Sequence, residues 1–378
     1  MKKIRILFLI NTLGGGGAEK VLVNLVNNMD SSAFDITVET MFSGGVNQGL
    51  LNPKIKYICK NAFTIKGISH IYKYLSSDFL YKKYIGEEKY DILVAYMHNL
   101  PVKVITGCKD KDTKLIGWCH CGTVEKSTYC TCWHTKESAN KTYNQCDALV
   151  GVSKRVISEF QKFFDITTDC YAIYNTNDTE KINRLAKEKP SVSVDHSKPS
   201  ICTVGRLSFE KGNDRLIEAA NRLLKENYDF DVYLIGEGVE KDKLVSLAKE
   251  YGIEDRIHFT GFQKNPYAIV NECDFFVCPS RTEGFSTAVT EAVLLGKPVI
   301  STDVSGAKEI LGDNNEYGLV VENSTDGIYS GIKQLLDNSQ ELNNYQKQAL
   351  IRAEDFKTEK TVSRTEELFR KVLNSKYR

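Results

Sequence analysis

Pro279-Ser280-Arg281-Thr282-Glu283-Gly284-Phe285-Ser286-Thr287-Ala288-Val289-Thr290-Glu291-Ala292 is the stretch that decides the reading of this chain. Phe276, Val277 and Cys278 before it have the pattern of a buried strand, and Leu294, Leu295, Gly296 and Pro298 after it that of a helix stopping at glycine. The context is strand, loop, helix. Such a loop offers backbone N–H groups and a positive helix end to an anion. Glu283 stands at its mouth, ready to accept hydrogen bonds from sugar hydroxyls. Glu291 lies about two turns further down the helix, placed to hold a second ring of hydroxyls. A capped surface helix with one buried carboxylate would carry the same pair, so the glutamates alone do not decide.

Outward from this stretch, short apolar strands alternate with helical patterns. In the first half the strands are Ile4–Ile10, Phe34–Glu39, Ile92–Tyr96, Leu115–Trp118, Ala148–Val152 and Tyr171–Tyr174, with a helix over Ala18–Asn28. The second half restarts at Ser200–Val204, followed by a helix over Asp214–Leu224 and strands at Asp231–Ile235, Ile257–Thr260, Phe275–Cys278 and Pro298–Ser301. This alternation implies α/β architecture with parallel sheets covered on both faces. The length of 378 residues suits two domains, and the polar segment 187–200 carries the break between them. Leu342–Asn374 reads as helices. Ligands of doubly wound sheets bind outside the carboxyl ends of the strands, where most of the motifs below fall.

Bulk properties exclude several classes. No apolar run approaches 18 residues, so no membrane span is expected. Ile4–Ile10 after Met1-Lys2-Lys3 is short for a signal peptide and fits a first buried strand, which places the chain in the cytoplasm with its 11 cysteines reduced. The net charge of +1 is unevenly spread: residues 1–198 hold 27 Lys+Arg against 20 Asp+Glu, and the remainder 23 against 29. A basic first half suits an anionic acceptor or membrane surface, or is incidental. Lys54–Lys89 has eight lysines against three acids, interleaved with Tyr57, Phe63, Tyr72, Tyr74, Phe79, Tyr81 and Tyr84. It suits equally a basic aromatic helix at a membrane interface, with Lys73, Lys82 and Lys83 toward the lipid, and a packed helix with solvated lysines.

Further motifs are candidates for chemistry. Gly205-Arg206-Leu207-Ser208-Phe209-Glu210-Lys211-Gly212 follows a strand, and Arg206 and Lys211 there are placed to clamp a diphosphate. Asn11-Thr12-Leu13-Gly14-Gly15-Gly16-Gly17-Ala18-Glu19-Lys20 joins the first strand to the first helix; its glycines allow close backbone approach to a phosphate or sugar, without Walker or Rossmann spacing. Trp118-Cys119-His120 ends a strand, as does Tyr96-Met97-His98-Asn99, so His120 and His98 both qualify as site histidines. Cys119, Cys121, Cys130 and Cys132 with His120 and His134 invite a zinc reading, but paired zinc ligands favour two intervening residues rather than one.

The segment Ser-Arg-x-Glu-Gly-Phe, then Glu-Ala, then Gly-Lys-Pro-Val-Ile, with the Arg206–Lys211 motif, resembles the retaining nucleotide-sugar glycosyltransferases of family 4. The resemblance is of the bacterial surface-polysaccharide type, strongest over residues 200–320 and looser over nearly the whole chain. It implies a GT-B fold, two Rossmann-like doubly wound domains facing an interdomain cleft. Residues 1–190 would form the acceptor-side domain, residues 191–355 the nucleotide-sugar domain, with a C-terminal helix at about 356–378 packing back on the first. The implied catalytic set is His120, Glu283, Arg206 and Lys211. The implied donor-binding set is Gly16, Gly17, Gly205, Arg206, Lys211, Gly236, Phe262, Glu283, Gly284, Phe285, Ser286 and Glu291, with Gly236 and Phe262 in loops around the base and ribose. Phe262 suits a contact to uracil and suits packing equally. The family pattern fails at Tyr174-Asn175-Thr176-Asn177-Asp178, where Asn-Gly-x-Asp or Asn-Pro-x-Asp is usual.

The function so implied is retaining transfer of a hexose-type sugar from a UDP-sugar to a glycan or polyprenyl-linked acceptor. No cofactor, no metal and no nucleic-acid partner is expected, and peripheral residence on the inner membrane face goes with the anionic-surface reading. A catalytically silent sugar-nucleotide-binding subunit, and a GT-B epimerase or phosphorylase, are the alternatives.

Overall fold

The computed structural model describes residues 2–61, 71–121 and 126–375. The parts of Lys54–Lys89 and of the Cys119–His134 cluster at 62–70 and 122–125, and the tail 376–378, lie outside the described residues. The chain forms two compact units: residues 1–176 with 358–378, and residues 177–357.

The first unit is built on seven strands: β1 (Ile4–Ile10), β2 (Phe34–Thr40), β3 (Lys56–Cys59), β4 (Ile92–Ala95), β5 (Lys114–Cys119), β6 (Ala148–Gly151) and β7 (Cys170–Ala172). They pair in the order β3-β2-β1-β4-β5-β6-β7, every pair parallel. The second unit has six: β8 (Ser200–Val204), β9 (Asp231–Ile235), β10 (Ile257–Gly261), β11 (Phe275–Cys278), β12 (Val299–Thr302) and β13 (Leu319–Val321). Their order is β10-β9-β8-β11-β12-β13, again parallel throughout. Central strands of such sheets are buried on both faces, which is why Ile6–Ile10 and Phe275–Cys278 read as unbroken apolar runs. Each sheet has one reversal of strand order, at β1/β4 and at β8/β11, where doubly wound folds bind ligands.

In the second unit Val232, Leu234, Phe275, Val277 and Ile300 of the sheet pack against Leu216, Leu223, Ile328 and Ile332 of flanking helices. The helix over Asn213–Lys225 buries the stripe Leu216, Ile217, Ala220 and Leu223, the spacing of an amphipathic helix. The final helix, Thr358–Asn374, belongs to the first unit. Its Phe369 meets Phe8 and Phe34 edge-on at 5.9 and 6.5 Å, and Asp30 N donates to Glu366 Oε1 at 2.7 Å. The segment 187–200 lies within the second unit, where Asn265 Nδ2 donates to Leu185 O at 2.8 Å and Asp195 N to Tyr233 Oη at 3.1 Å.

Two strands were not expected, β3 and β13, and both are edge strands. One consequence corrects the reading of Lys54–Lys89 as a continuous basic aromatic helix. Lys56–Cys59 is a strand paired with β2, and Ser77–Tyr84 is a separate helix. Tyr72 and Tyr84 are buried and share a hydrogen bond of 2.8 Å, so these rings serve the core. Ile71, Tyr74 and Phe79 are exposed.

Candidate functional site

The β8/β11 reversal brings two of the motifs together. The loop after β8 carries residues 205–212, and the loop after β11 carries 279–286. They lie side by side because β8 and β11 are hydrogen-bonded neighbours whose chains continue to opposite sides of the sheet, β8 to β9 and β11 to β12. Gly212 lets the loops touch. Its φ is +66°, and a Cβ there would lie 2.1 Å from Pro279 O.

Lys211 and Glu283 meet at this junction. Lys211 Nζ donates to Glu283 Oε1 at 2.6 Å, and Ser280 Oγ donates to the same oxygen at 2.7 Å. Both partners are largely buried, with side chains 26% and 12% exposed. Burial alone would push the Lys211 ammonium down, but the Glu283 charge and hydrogen bond outweigh it and hold the group above its ordinary value. A narrow cavity opens here, lined by Gly205, Lys211, Asn213, Ser280, Glu283 and Ser286 among others. Ser286 caps the helix Thr287–Leu294, its Oγ accepting from Val289 N at 3.5 Å. The cavity therefore has an ammonium, a carboxylate and a helix N-terminus at one spot. Phe285 is buried, and Gly306, at φ +80°, admits it: a Cβ on Gly306 would lie 2.7 Å from the Phe285 ring.

The other expected donor residues are placed differently. Arg206 is not fixed in the cavity; its side chain is 72% exposed, 3.6 Å from Glu210. Gly236 follows β9 with φ +151°, and a Cβ there would lie 1.9 Å from Gly205 O, so the two strand-end loops are in backbone contact. Phe262 stands exposed after β10. Glu291 is buried on the helix Thr287–Leu294 and accepts from Tyr267 Oη at 3.1 Å. Beside it on the same helix, Thr290 accepts from Asn177 Nδ2 at 2.7 Å. Sequence reasoning did not single out Ser280 and Tyr267 as partners of the two glutamates. Ser280 stood inside the decisive stretch; Tyr267 lies on another helix and carried no signal.

In the first unit, the carboxyl ends of β4 and β5 bear an aromatic cluster. Tyr96 lies 4.9 Å from Trp118 and 4.7 Å from His120, and His98 lies 4.4 Å from Tyr129. Among the described residues, four buried polar atoms here and at the end of β1 have no protein partner: Asn11 Oδ1, His98 Nδ1, Trp118 Nε1 and His120 Nε2. Burial pushes His120 down to about 3, with His98 adding to the effect, and His98 down to about 4. Both imidazoles are thus neutral at physiological pH, fit for hydrogen bonding and not for charge. Gly16 is the N-cap residue of the helix Gly17–Asn28, and Glu19 folds back over it. Asn47 Nδ2 donates to Gly14 O, fixing the glycine loop from its far side.

Among the described residues no group of three or more His, Cys, Asp or Glu side chains is gathered to hold a metal ion. All eleven cysteines are free thiols, and the His134 ring packs against Tyr74 at 4.9 Å. Two Asp-x-Asp triplets occur, Asp110-Lys111-Asp112 and Asp229-Phe230-Asp231. The first precedes β5 and the second runs into the start of β9, so both lie at the amino ends of their strands, whereas the candidate motifs follow the carboxyl ends. Asp229 and Asp231 are taken up by Arg256 at 2.6 and 3.3 Å.

Comparison with known proteins gives two family matches. Residues 186–352 match the model described as glycosyl transferases group 1, and residues 15–181 that described as glycosyltransferase family 4. The chain is 29% identical over 370 residues to the N-acetylgalactosamine-N,N'-diacetylbacillosaminyl-diphospho-undecaprenol 4-alpha-N-acetylgalactosaminyltransferase of Campylobacter jejuni, covering 92% of this chain and 94% of that one. Among solved structures, a Rickettsia africae glycosyltransferase superposes with a TM-score of 0.79 at 18% identity, covering 100% of both chains. Anabaena HepE in complex with UDP and glucose superposes with a TM-score of 0.73 at 18% identity, covering 97% of this chain and 100% of that one.

Proposed function

Since the chain belongs to the GT-B glycosyltransferases, with one family model on each half, we propose that it is a retaining enzyme acting on a UDP-sugar. It moves a hexose-type sugar to a hydroxyl of a glycan or lipid-linked acceptor in cell-surface polysaccharide synthesis. The observation that carries this reading is the Lys211–Glu283 pair at the β8/β11 reversal, beside a capped helix N-terminus. The Campylobacter relative, named for a diphospho-undecaprenol substrate, and the UDP complex of HepE support the acceptor and donor classes.

The side chains suit the parts. An ammonium has three donors, and Lys211 uses one on Glu283, which leaves two for phosphate oxygens. Glu283 takes both its bonds on Oε1, leaving Oε2 for sugar hydroxyls. Negative charge grows on the diphosphate as it departs; Lys211, the helix end at Gly284–Ser286, and Arg206 swinging in from solvent stabilise it. Gly205 and Gly236 keep the floor of the site open to the backbone, Phe262 meets the uracil, and Glu291 holds the ribose. With two cations at the diphosphate, no divalent ion is required. Gly16 and Gly17 admit phosphate or sugar close to the backbone, and neutral His120 hydrogen-bonds the transferred sugar. The acceptor hydroxyl attacks on the face the diphosphate leaves, so the anomeric configuration is kept. The exposed Ile71, Tyr74 and Phe79 with Lys73, Lys82 and Lys83 hold the first unit at an anionic membrane face.

The test is a panel of nucleotide sugars, screened for binding by thermal shift and then for UDP release with and without acceptor glycans. Acceptor-dependent release that Glu283→Gln abolishes, while UDP still binds, is the expected result. UDP binding without turnover on any donor would instead mark a catalytically silent subunit.

A further inference from the structure

We propose that Arg281 is a positioning residue that fixes the spacing of Lys211 and Glu283 by clasping together the two loops that carry them. The inference rests on reading those two as donor-site residues. Arg281 lines no part of the cavity, yet it makes a dense set of bonds to the facing loop. Its guanidinium grips Asp214 in a fork, Nη1 to Oδ1 at 2.8 Å and Nη2 to Oδ2 at 2.6 Å. Nη1 also donates to Phe209 O at 2.7 Å, and the guanidinium carbon stands 4.0 Å from the centre of the Phe209 ring. The Arg281 backbone N–H donates to Glu210 O at 2.8 Å. These carbonyls belong to the two residues immediately before Lys211, and Ser280, which holds Glu283, is the residue immediately before Arg281.

The loop is tied from behind as well. Asn323 Nδ2 donates to Arg281 O at 3.0 Å, and Arg215 Nη1 donates to Asn323 Oδ1 at 2.9 Å. A guanidinium can fork onto a carboxylate, reach a carbonyl and lie over a ring at the same time; an ammonium cannot hold that set. The charged pair Arg281–Asp214 thus works on the pair Lys211–Glu283 through Gly212 and Asn213 on one side and Thr282 on the other.

The experiment uses the full chain and UDP as the probe. UDP affinity is measured by calorimetry for wild type, Arg281→Ala, Arg281→Lys, Lys211→Ala and the double variant Arg281→Ala/Lys211→Ala, with crystal structures of wild type and both Arg281 variants. Losing a desolvated charge contact in binding costs about 10- to 1000-fold, so Arg281→Ala, which acts through Lys211, should lose UDP affinity by up to about 10²-fold. Arg281→Lys should fall between it and wild type. The double variant should be no weaker than Lys211→Ala, since the clamp acts through the lysine. In the Arg281→Ala crystal the Lys211–Glu283 contact should be broken. Unchanged affinity with the contact intact overturns the proposal, and so do additive losses in the double variant. If Arg281→Ala does not fold, Arg281→Lys decides by the same readouts. If wild type itself binds no UDP, the donor reading fails, and the Lys211–Glu283 separation in the variants still decides the clamp.

Discussion

Replacing Lys211 by methionine separates what the lysine does for the fold from what it does for the ligand. Its Nζ sits 2.6 Å from Glu283 Oε1, and the Glu283 side chain is 12% exposed. Without the ammonium, Glu283 is a nearly buried carboxylate that keeps the Ser280 hydroxyl as donor. Removing one partner of a fully buried pair costs about 3–5 kcal/mol; Lys211 is one quarter exposed, so water screens the pair and about 1–3 kcal/mol is expected here. Adding Glu283→Gln removes the stranded charge, and the double variant should recover most of that stability. UDP affinity should not recover. Loss of a desolvated charge-assisted contact to the diphosphate costs about 2–4 kcal/mol in binding, or roughly 30- to 800-fold in Kd. Urea denaturation and calorimetry with UDP, run on wild type, Lys211→Met, Glu283→Gln and the double variant, read the two quantities independently. A Lys211→Met protein that binds UDP within about twofold of wild type would refute the assignment of Lys211 to the diphosphate.

Glu39, buried on β2 with Oε1 unpaired, is held at about 7 against an ordinary 4.5, chiefly by burial, with Lys60 opposing and Glu88 adding. A carboxyl raised on folding contributes stability that is full below 4.5 and is lost as pH rises through about 7. That amounts to on the order of 3 kcal/mol, and Glu39→Gln should flatten the slope of stability between pH 4.5 and 7 in urea titrations; an unchanged slope contradicts the assignment. Gly236→Ala should lower stability by a few kcal/mol and weaken UDP binding, because its Cβ would lie 1.9 Å from Gly205 O; unaltered melting would show that the loops are free to part. Vesicle sedimentation should show binding that needs anionic lipid, weakens with salt and drops when Lys73, Lys82 and Lys83 become glutamate, each lysine contributing on the order of 1 kcal/mol. Indifference of wild type to anionic vesicles at low salt would remove the membrane-docking reading.

The central strands of both sheets were legible because burial on two faces writes a mostly apolar run; Ser200–Val204, Asp231–Ile235 and Phe275–Cys278 match to the residue. β3 and β13 were not. Lys56-Tyr57-Ile58-Cys59 is an edge strand with exposed ends, where charged and polar side chains are tolerated and the run disappears. The lysine-rich composition of that region then suggested a helix that tertiary pairing with β2 overrides. At the site, Glu283, Lys211 and the glycines were marked by local spacing on strand-end loops. What joins them was hidden: Asp214 and Arg281 are 67 positions apart, and Glu291 and Tyr267 lie on separate helices. Only the sheet order brings such pairs together. Arg206 shows the converse case, a residue whose motif was plain and whose side chain nevertheless points to solvent beside Glu210.

The most direct test of the account is the anomeric configuration of the product, followed by proton NMR as the enzyme consumes an α-linked UDP-sugar in the presence of acceptor. The account predicts an α-glycoside formed first, at the rate of UDP release and without added divalent metal. A β-glycoside as the first product would contradict it.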